Sequence, residues 1–452
     1  MIRRLICVLL RFALRIYFRR IEVAGLEHVP RDSPVIFVLN HPNALVDPCF
    51  LLCLTPRRVS FLAKAPLFRM PVLGYLVRAL DSLPVYRSQD GGADTAKNLE
   101  TFVLARELLA AGGTLAICPE DVSHDETRLK PLKTGAARIA LGTVSSGASL
   151  NLKIVPAGLY YTAKTTFRSA ALLYFGEPIE VEPVHLDAMG NPPRGSARAL
   201  SDRIEQALRE VILEAEHKEA LALIEKAERM FFSDEAGTKD QRSLERELQL
   251  RRQFLEGYAF HHTRAPQRLA ALEGRMARFE QELESAGLDP RSLSPPSSAG
   301  GVISHLLTRT TGFLLLLPFA LFGIAVHYPA FHFGGYMARR LARDAEDVIS
   351  TIKIISAMLL FPLTWIALGL LTWRFTNWRL AVGLLILTPL CGYVAIRFFE
   401  ELDRFAGGLL AVALFVMRRR FFVRLLAERN AIRKEILALG EEAAPSGTDF
   451  SL

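Results

Sequence analysis

"VIFVLNHPNALVDP", Val35 to Pro48, is the stretch that decides how this chain is read. Its first five residues are apolar, mostly β-branched or aromatic, and form a strand pattern that stops at Asn40-His41-Pro42. A buried structural strand needs no polar ending, whereas a strand that delivers an imidazole at its C-terminal end puts it where α/β sheets bind ligands. Asp47 follows the histidine six positions on, with Pro42 suited to a first helical position and Ala44-Leu45-Val46 carrying the chain between them. An imidazole near its ordinary pKa takes a proton from a hydroxyl, and a neighbouring carboxylate fixes its tautomer and stabilises the imidazolium. Alone, the pair is better read as a polar loop with an N-capping Asn40 and an incidental acid.

The surroundings tip the balance. Strand patterns recur at "RVSFLA" (58–63), "LPVY" (83–86), "TLAIC" (114–118), "KIVPAGLYY" (153–161) and "ALLYF" (171–175). Helical spacing separates some of them, at Asp94 to Ala111 and Thr134 to Val144, so an α/β domain is expected from about 35 to 181. Three more of these segments carry distinctive residues: Arg87 follows "LPVY", Glu120 follows "LAIC" in "LAICPEDVSHD", and Pro156 and Gly158 interrupt "KIVPAGLYY". Lys130 and Lys133 stand just ahead of the helix that starts near Thr134.

In order and spacing these four blocks resemble the PlsC-like glycerolipid acyltransferases, over roughly residues 20 to 185. The resemblance implies a mixed sheet flanked by helices, with His41 as general base on the acceptor hydroxyl and Asp47 as its orienting carboxylate. It further implies Arg87 as a phosphate ligand, Glu120 as support for the glycerol-phosphate site, and Asn40, Pro156 and Gly158 as pocket-shaping residues. Lys130 and Lys133 are added as further phosphate contacts, against the plainer reading of a solvated basic loop. A guanidinium suits phosphate because its planar fork gives two charge-assisted hydrogen bonds.

The chain departs from the family pattern twice. Five residues, not four, separate His41 from Asp47. At about 100° per helical residue this puts the two on different faces of a regular helix, so an irregular turn is expected. The wider block is similar to that of the yeast-type acyltransferases acting on glycerol 3-phosphate and dihydroxyacetone phosphate, which also carry membrane segments downstream. Asp121 occupies the position of the family's glycine after Pro-Glu, where glycine would permit positive φ and where an acid adds bulk and charge. The cluster "EDVSHDE", 120–126, lacks the His spacing of a metal site and is read as a polar loop; no metal and no cofactor beyond an acyl-CoA or acyl carrier protein co-substrate is expected.

Composition points to a membrane. Half of the 452 residues are hydrophobic, the net charge is +8, and no nucleic-acid motif accompanies the basic balance, which anionic lipid explains as well. The five cysteines form no metal or disulfide pattern, which points to a reducing compartment. Residues 1–20, with six arginines and no acid, read as a basic amphipathic helix at an interface. An acyltransferase domain is expected over 21–190, mixed-charge long helices over 196–287, a Pro/Ser/Gly linker over 288–301, a membrane region over 302–440 and a flexible tail over 441–452. Within the membrane region 354–373 and 380–396 read as spans, and the 27 uncharged residues 310–336 as a kinked span or a re-entrant hairpin. The basic runs 339–343 and 418–420 should share the cytoplasmic side, which favours the re-entrant or interfacial reading of 310–336, while Phe405 to Met417, only 13 residues long, reads as the start of an interfacial helix.

The resulting expectation is a multi-pass membrane enzyme with a cytoplasmic catalytic domain, placed in a bacterial inner membrane. It transfers a fatty acyl group from acyl-CoA or acyl carrier protein to glycerol 3-phosphate or dihydroxyacetone phosphate, in phospholipid synthesis. The alternatives are a lysophosphatidate or other lysophospholipid acceptor, and a catalytically impaired scaffold with the same fold, motivated by Asp121.

Overall fold

The computed structural model describes residues 2–87, 97–146, 150–215, 218–231, 243–288, 299–343 and 345–443. It divides into two compact units, Met1–Glu214 with Met337–Ile355, and Ala215–Tyr336 with Ser356–Leu452.

The first unit is built on a mixed sheet of β1 (Arg20–Ala24), β2 (Val35–Leu39), β3 (Val59–Lys64), β4 (Leu83–Val85), β5 (Thr114–Ile117), β6 (Lys153–Tyr161), β7 (Ala170–Phe175) and β8 (Ile179–Glu180). The strand order is β1-β7-β6-β2-β5-β3-β4, with β8 paired to β6. β2 runs parallel to both β5 and β6, and β6 runs antiparallel to β7. All five residues of β2 are buried, as an uninterrupted apolar run in a sheet covered on both faces should be.

Side-chain alternation divides the core into two layers. Val35, Phe37 and Leu39 face one layer with Val155, Ala157 and Leu159 of β6 and with α2 (Val46–Leu54). Ile36 and Val38 face the other, packed by α4 (Asn98–Ala110), α5 (Gly135–Val144) and α6 (Arg194–Arg209). α6 buries Ala197, Leu200, Ile204 and Leu208 against this second layer, so the unit extends past the expected boundary near 190 and takes the first helix of the charged region. Three elements escaped the sequence reading, the two-residue β8 among them. β1 alternates charge with apolar residues in "RIEVA", and α3 (Pro71–Ala79) is a short surface helix.

α1 (Ile2–Tyr17) forms where the basic amphipathic helix was expected, but with a different distribution of its faces. Leu14 and Tyr17 are buried in the first layer, while Arg3 donates to the carbonyls of Val59 (2.6 Å) and Leu80 (2.7 Å) and Arg11 to that of Cys53. Ile2, Leu5, Val8, Leu9 and Phe12 are left exposed. An outward apolar stripe, with two of the arginines turned inward, is what inserts into a headgroup boundary.

The second unit contains α7 (Lys218–Phe231), α8 (Leu244–Arg264), α9 (Pro266–Ser285), most of α10 (Ala299–Ala342) and of α11 (Ile349–Phe375), α12 (Trp378–Met417) and α13 (Arg419–Ala443). Met276, Phe279 and Leu283 of α9 bury against Phe422, Leu425, Ile432 and Ile436 of α13. The end of the expected membrane region 302–440 thus belongs to a helical cluster with the charged helices. Of the linker 288–301, residues 289–298 lie outside the described residues and 299–301 open α10; the tail beyond 443 also lies outside them.

Among the described residues, three helical stretches, Arg309–Ala342, Glu346–Phe375 and Trp378–Asp403, are long and apolar enough to cross a membrane. The second and third contain the two expected spans. The first corrects the re-entrant reading: Pro318 and Pro329 lie inside one continuous helix, and a hairpin needs a reversal that α10 does not contain. Phe405 likewise starts nothing, because 405–417 continues α12. Trp373, Phe375 and Trp378 stand exposed around the turn between α11 and α12, the arrangement of an interfacial aromatic belt.

Candidate active site

β2 ends at Leu39, and Asn40 fastens that end to β6: its Oδ1 accepts from the Leu159 amide at 2.8 Å and its Nδ2 donates to the Leu159 carbonyl at 3.0 Å. The side chain expected at the pocket wall is therefore spent on the scaffold that holds the next residue, His41. Residues 42–45 form an irregular turn in which Ala44 takes φ 38°, and α2 begins only at Val46, so Pro42 is not its first residue. This turn absorbs the fifth intervening residue and brings His41 Nδ1 to 2.9 Å from Asp47 Oδ2.

Asp47 is fully buried and accepts three hydrogen bonds. Besides His41, the Asn43 amide donates to Oδ2 at 2.7 Å and the Tyr161 hydroxyl to Oδ1 at 2.6 Å. A carboxylate only accepts, so Nδ1 of His41 must carry its proton toward Asp47, which makes Nε2 the basic nitrogen. Burial and the adjacent Asp47 push the Tyr161 phenol well up, which keeps it a donor. Sequence reading missed Tyr161; its one signal was that residues 155, 157, 159 and 161 share a strand face.

Glu120 is also buried, and its carboxylate is turned inward. Oε1 accepts from the His41 amide at 3.0 Å, while Oε2 accepts from the Lys130 amide at 2.9 Å and meets His124 Nε2 at 2.5 Å. Where a role at a phosphate site is expected of it, Glu120 has its carboxylate on protein donors, and it fixes the backbone of His41 and the loop 120–130. The His124 amide closes the same connection by donating to the His41 carbonyl at 3.3 Å. His124, read as a polar-loop residue, is part of this framework.

Arg87 leaves the end of β4 and reaches the same loop. Its Nη1 donates to the Asp121 carbonyl, and its Nε lies 3.8 Å from Asp121 Oδ1. Asp121 itself takes φ 71°, so the position does demand the left-handed conformation that glycine would supply, and aspartate is among the few residues that tolerate it. The acid added there pairs with Arg87. Lys130 Nζ lies 3.2 Å from Glu126 Oε1, and Lys133 is exposed, with its amide donating to the Pro119 carbonyl at 2.8 Å.

Pro156 and Gly158 are not brought to the dyad. They share the opposite face of β6 from Tyr161, and a Cβ on Gly158 would stand 1.9 Å from the Val211 carbonyl oxygen. Both residues shape the packing beside Val211, because even positions on this strand face the second core layer. Near the dyad, desolvation reinforced by Asp47 and Glu120 pushes the Cys118 thiol well up, which makes it a poor nucleophile. Among the described residues there is no group of three metal-ligating side chains.

A histidine whose Nδ1 faces a buried carboxylate at the exit of a parallel strand is an arrangement able to take a proton from a hydroxyl, here on an α/β scaffold. Residues 20–160 match the family model described as acyltransferase, and residues 224–448 match that described as the glycerol-3-phosphate acyltransferase 2 C-terminal domain. The chain thus joins an acyltransferase-family domain to a glycerol-3-phosphate acyltransferase 2 C-terminal domain. Among its relatives, glycerol-3-phosphate O-acyltransferase 1 of Saccharomyces cerevisiae is 26% identical over 77% of this chain and 58% of its own length. Glycerol-3-phosphate O-acyltransferase 2 of the same yeast is 26% identical over 62% of this chain and 39% of its own. An uncharacterized acyltransferase of Schizosaccharomyces pombe is 24% identical over 93% of this chain and 77% of its own. The chain thus spans little more than half of the first of these enzymes. All three are yeast proteins and lend no support to the expected bacterial inner membrane.

Proposed function

We propose that this chain is a membrane-bound glycerolipid O-acyltransferase that acylates glycerol 3-phosphate or dihydroxyacetone phosphate. The observation that carries the reading is the Asp47 carboxylate on His41 Nδ1, which leaves Nε2 as the base for a substrate hydroxyl. The acceptor oxygen attacks the thioester carbonyl of acyl-CoA or acyl carrier protein as Nε2 takes the hydroxyl proton. The C–O bond forms, the C–S bond breaks, and the imidazolium returns the proton to the leaving thiolate. Asp47 stabilises the transient imidazolium, so no covalent enzyme intermediate is needed. Arg87, with Lys130 and Lys133 of the segment that follows Glu120, supplies positive charge for the acceptor phosphate. The names of the two Saccharomyces relatives support glycerol 3-phosphate as the acceptor, and the three apolar helices support a membrane location, where the acylated product resides.

The test is acyl transfer in membranes containing the full chain, with palmitoyl-CoA and glycerol 3-phosphate, dihydroxyacetone phosphate or lysophosphatidate as acceptor. Transfer to one of the first two should fall by about 10²–10⁴-fold in His41→Ala, the usual worth of a general base. Exclusive use of lysophosphatidate would replace the acceptor assignment. Absence of transfer from both palmitoyl-CoA and palmitoyl acyl carrier protein, in folded protein, would favour the scaffold.

A further inference from the structure

Residues Met337–Ile355 belong to the catalytic unit although more than a hundred residues separate them from the end of its main segment at Glu214. Within that unit the short turn ahead of α11 is bonded to two loops at the rim of the site. The Ser123 hydroxyl donates to the carboxylate of Asp347, which is only 6% exposed. The Glu346 amide donates to Asp125 Oδ2 at 3.1 Å. Lys164 pairs with Asp125 and also donates to the Pro42 carbonyl, next to His41, at 3.3 Å. On the other side, Ser350 donates to the Lys164 carbonyl and accepts from the Tyr17 hydroxyl at 3.1 Å, and Lys353 donates to the Thr165 carbonyl at 2.6 Å.

A buried carboxylate is retained only where donors satisfy it, and Asp347 has Ser123, which lies in the loop whose first residue, Glu120, holds the His41 amide. Asp347 reaches the base in two steps, through Ser123 and then through the Glu120–His124 frame on the His41 backbone. Two residues after Asp347 begins α11, which is long and apolar enough to cross a membrane. We propose that Ala345–Ser350 is a strap that positions the catalytic loop, with Asp347 as a positioning residue for the acyl transfer, and that it ties the loop to the head of a membrane helix. The strap also places the junction of α10 and α11 on the catalytic side of the membrane. The inference rests on the acyltransferase reading for its kinetic test, though not for its structural one.

The experiment uses the full chain in membranes and compares wild type, Asp347→Ala, Asp347→Asn, Ser123→Ala and the Ser123→Ala/Asp347→Ala double variant. Per folded enzyme, Asp347→Ala and Ser123→Ala should each lower kcat about tenfold with KM for both substrates changed less than about twofold. Asp347→Asn keeps an acceptor for the Ser123 hydroxyl and should stay within about threefold of wild type, while the double variant should lose no more than either single one. A residue that only supported folding would reduce the amount of enzyme and leave kcat alone. Amide exchange of the 120–126 segment is followed in the same proteins and should quicken in Asp347→Ala and Ser123→Ala. An unchanged kcat, additive losses, or unchanged exchange at 120–126 would overturn the strap. Should wild type transfer to no acceptor, the acyltransferase reading fails, and the exchange measurement decides the strap by itself.

Discussion

Two polar hubs, one in each unit, show how differently the same kind of contact is used. Asp47 lies wholly inside the catalytic unit and gathers an amide, a phenol and an imidazole. Arg275 lies on the helical cluster of the second unit, about a third exposed, and bridges Glu428 at 2.9 Å and Glu435 at 2.5 Å. Asp47 fixes one atom, Nε2 of His41, in a chemically useful state. Arg275 joins α9 to α13 in a setting where water competes for every partner, and exposed ion pairs of this sort contribute little. Asp47 therefore fixes a side chain from inside the core, whereas Arg275 decorates helices whose cohesion comes from their apolar stripes.

The largest effect that would break this contrast is expected at Asp47. Replacing it with alanine strands three buried donors, at about 1–3 kcal/mol each where no water enters, so Asp47→Ala should lose about 3–5 kcal/mol of stability. Acyl transfer should fall about as far as in His41→Ala, because the imidazole loses both its tautomer and its counter-charge. Denaturant unfolding and the transfer assay check both; a near-neutral stability effect would mean that the hub is no more than decoration.

A second expectation concerns alkali. Cys53 packs beneath α1 and its thiol is pushed from 9.0 up to about 12, mainly by burial, with Cys49 pushed higher still. A folded-state pKa above the unfolded one means that the unfolded chain releases protons first as pH rises. The stability held by these neutral thiols is thus complete below about pH 9 and is lost as pH climbs from about 9 toward 12. Unfolding measured across that range should show the decline, and Cys53→Ser should lessen it while Cys49 keeps its share. At pH 8 the folded protein should leave both thiols unmodified by a maleimide.

How much of this was open to sequence reading depended on whether the signal was local. The runs "VIFVL" and "KIVPAGLYY" coincide with β2 and β6 residue for residue, because a buried strand writes its own apolar pattern. The His41–Asp47 pair could be seen for the same reason: strand, turn and helix are contiguous. Asp347 could not, since it meets the site only through long-range pairing that no periodicity records, and for Tyr161 the alternation of β6 gives its face but not its partner. Glu120 stands out in the sequence but its partners do not: a carboxylate beside a suspected phosphate site looks like substrate chemistry until the His41 and Lys130 amides are seen to donate to it. α13 was assigned to the membrane because apolar residues precede it, while its own buried set, Phe422, Leu425, Ile432 and Ile436, has helical spacing and packs on α9.

The smallest effect is the one that sharpens the comparison most, because one substitution should change sign between the two units. Gly158 sits in β6 where a Cβ would lie 1.9 Å from the Val211 carbonyl oxygen, and backbone cannot swing aside as a flexible side chain does. Gly158→Ala should force the Val211 turn off the sheet and cost about 1–3 kcal/mol, the usual price of overpacking a close-packed core. Gly274 lies within α9 with nothing near the position a Cβ would take. There alanine adds no clash and removes the entropy that glycine loses in a helix, so Gly274→Ala should stabilise by about 0.5–1 kcal/mol. Thermal unfolding of the two variants, in the full chain, reads both. Equal signs would show that the close approach at β6 relaxes as freely as a helix surface, and the tight scaffold argued for the His41 strand would then have no independent support.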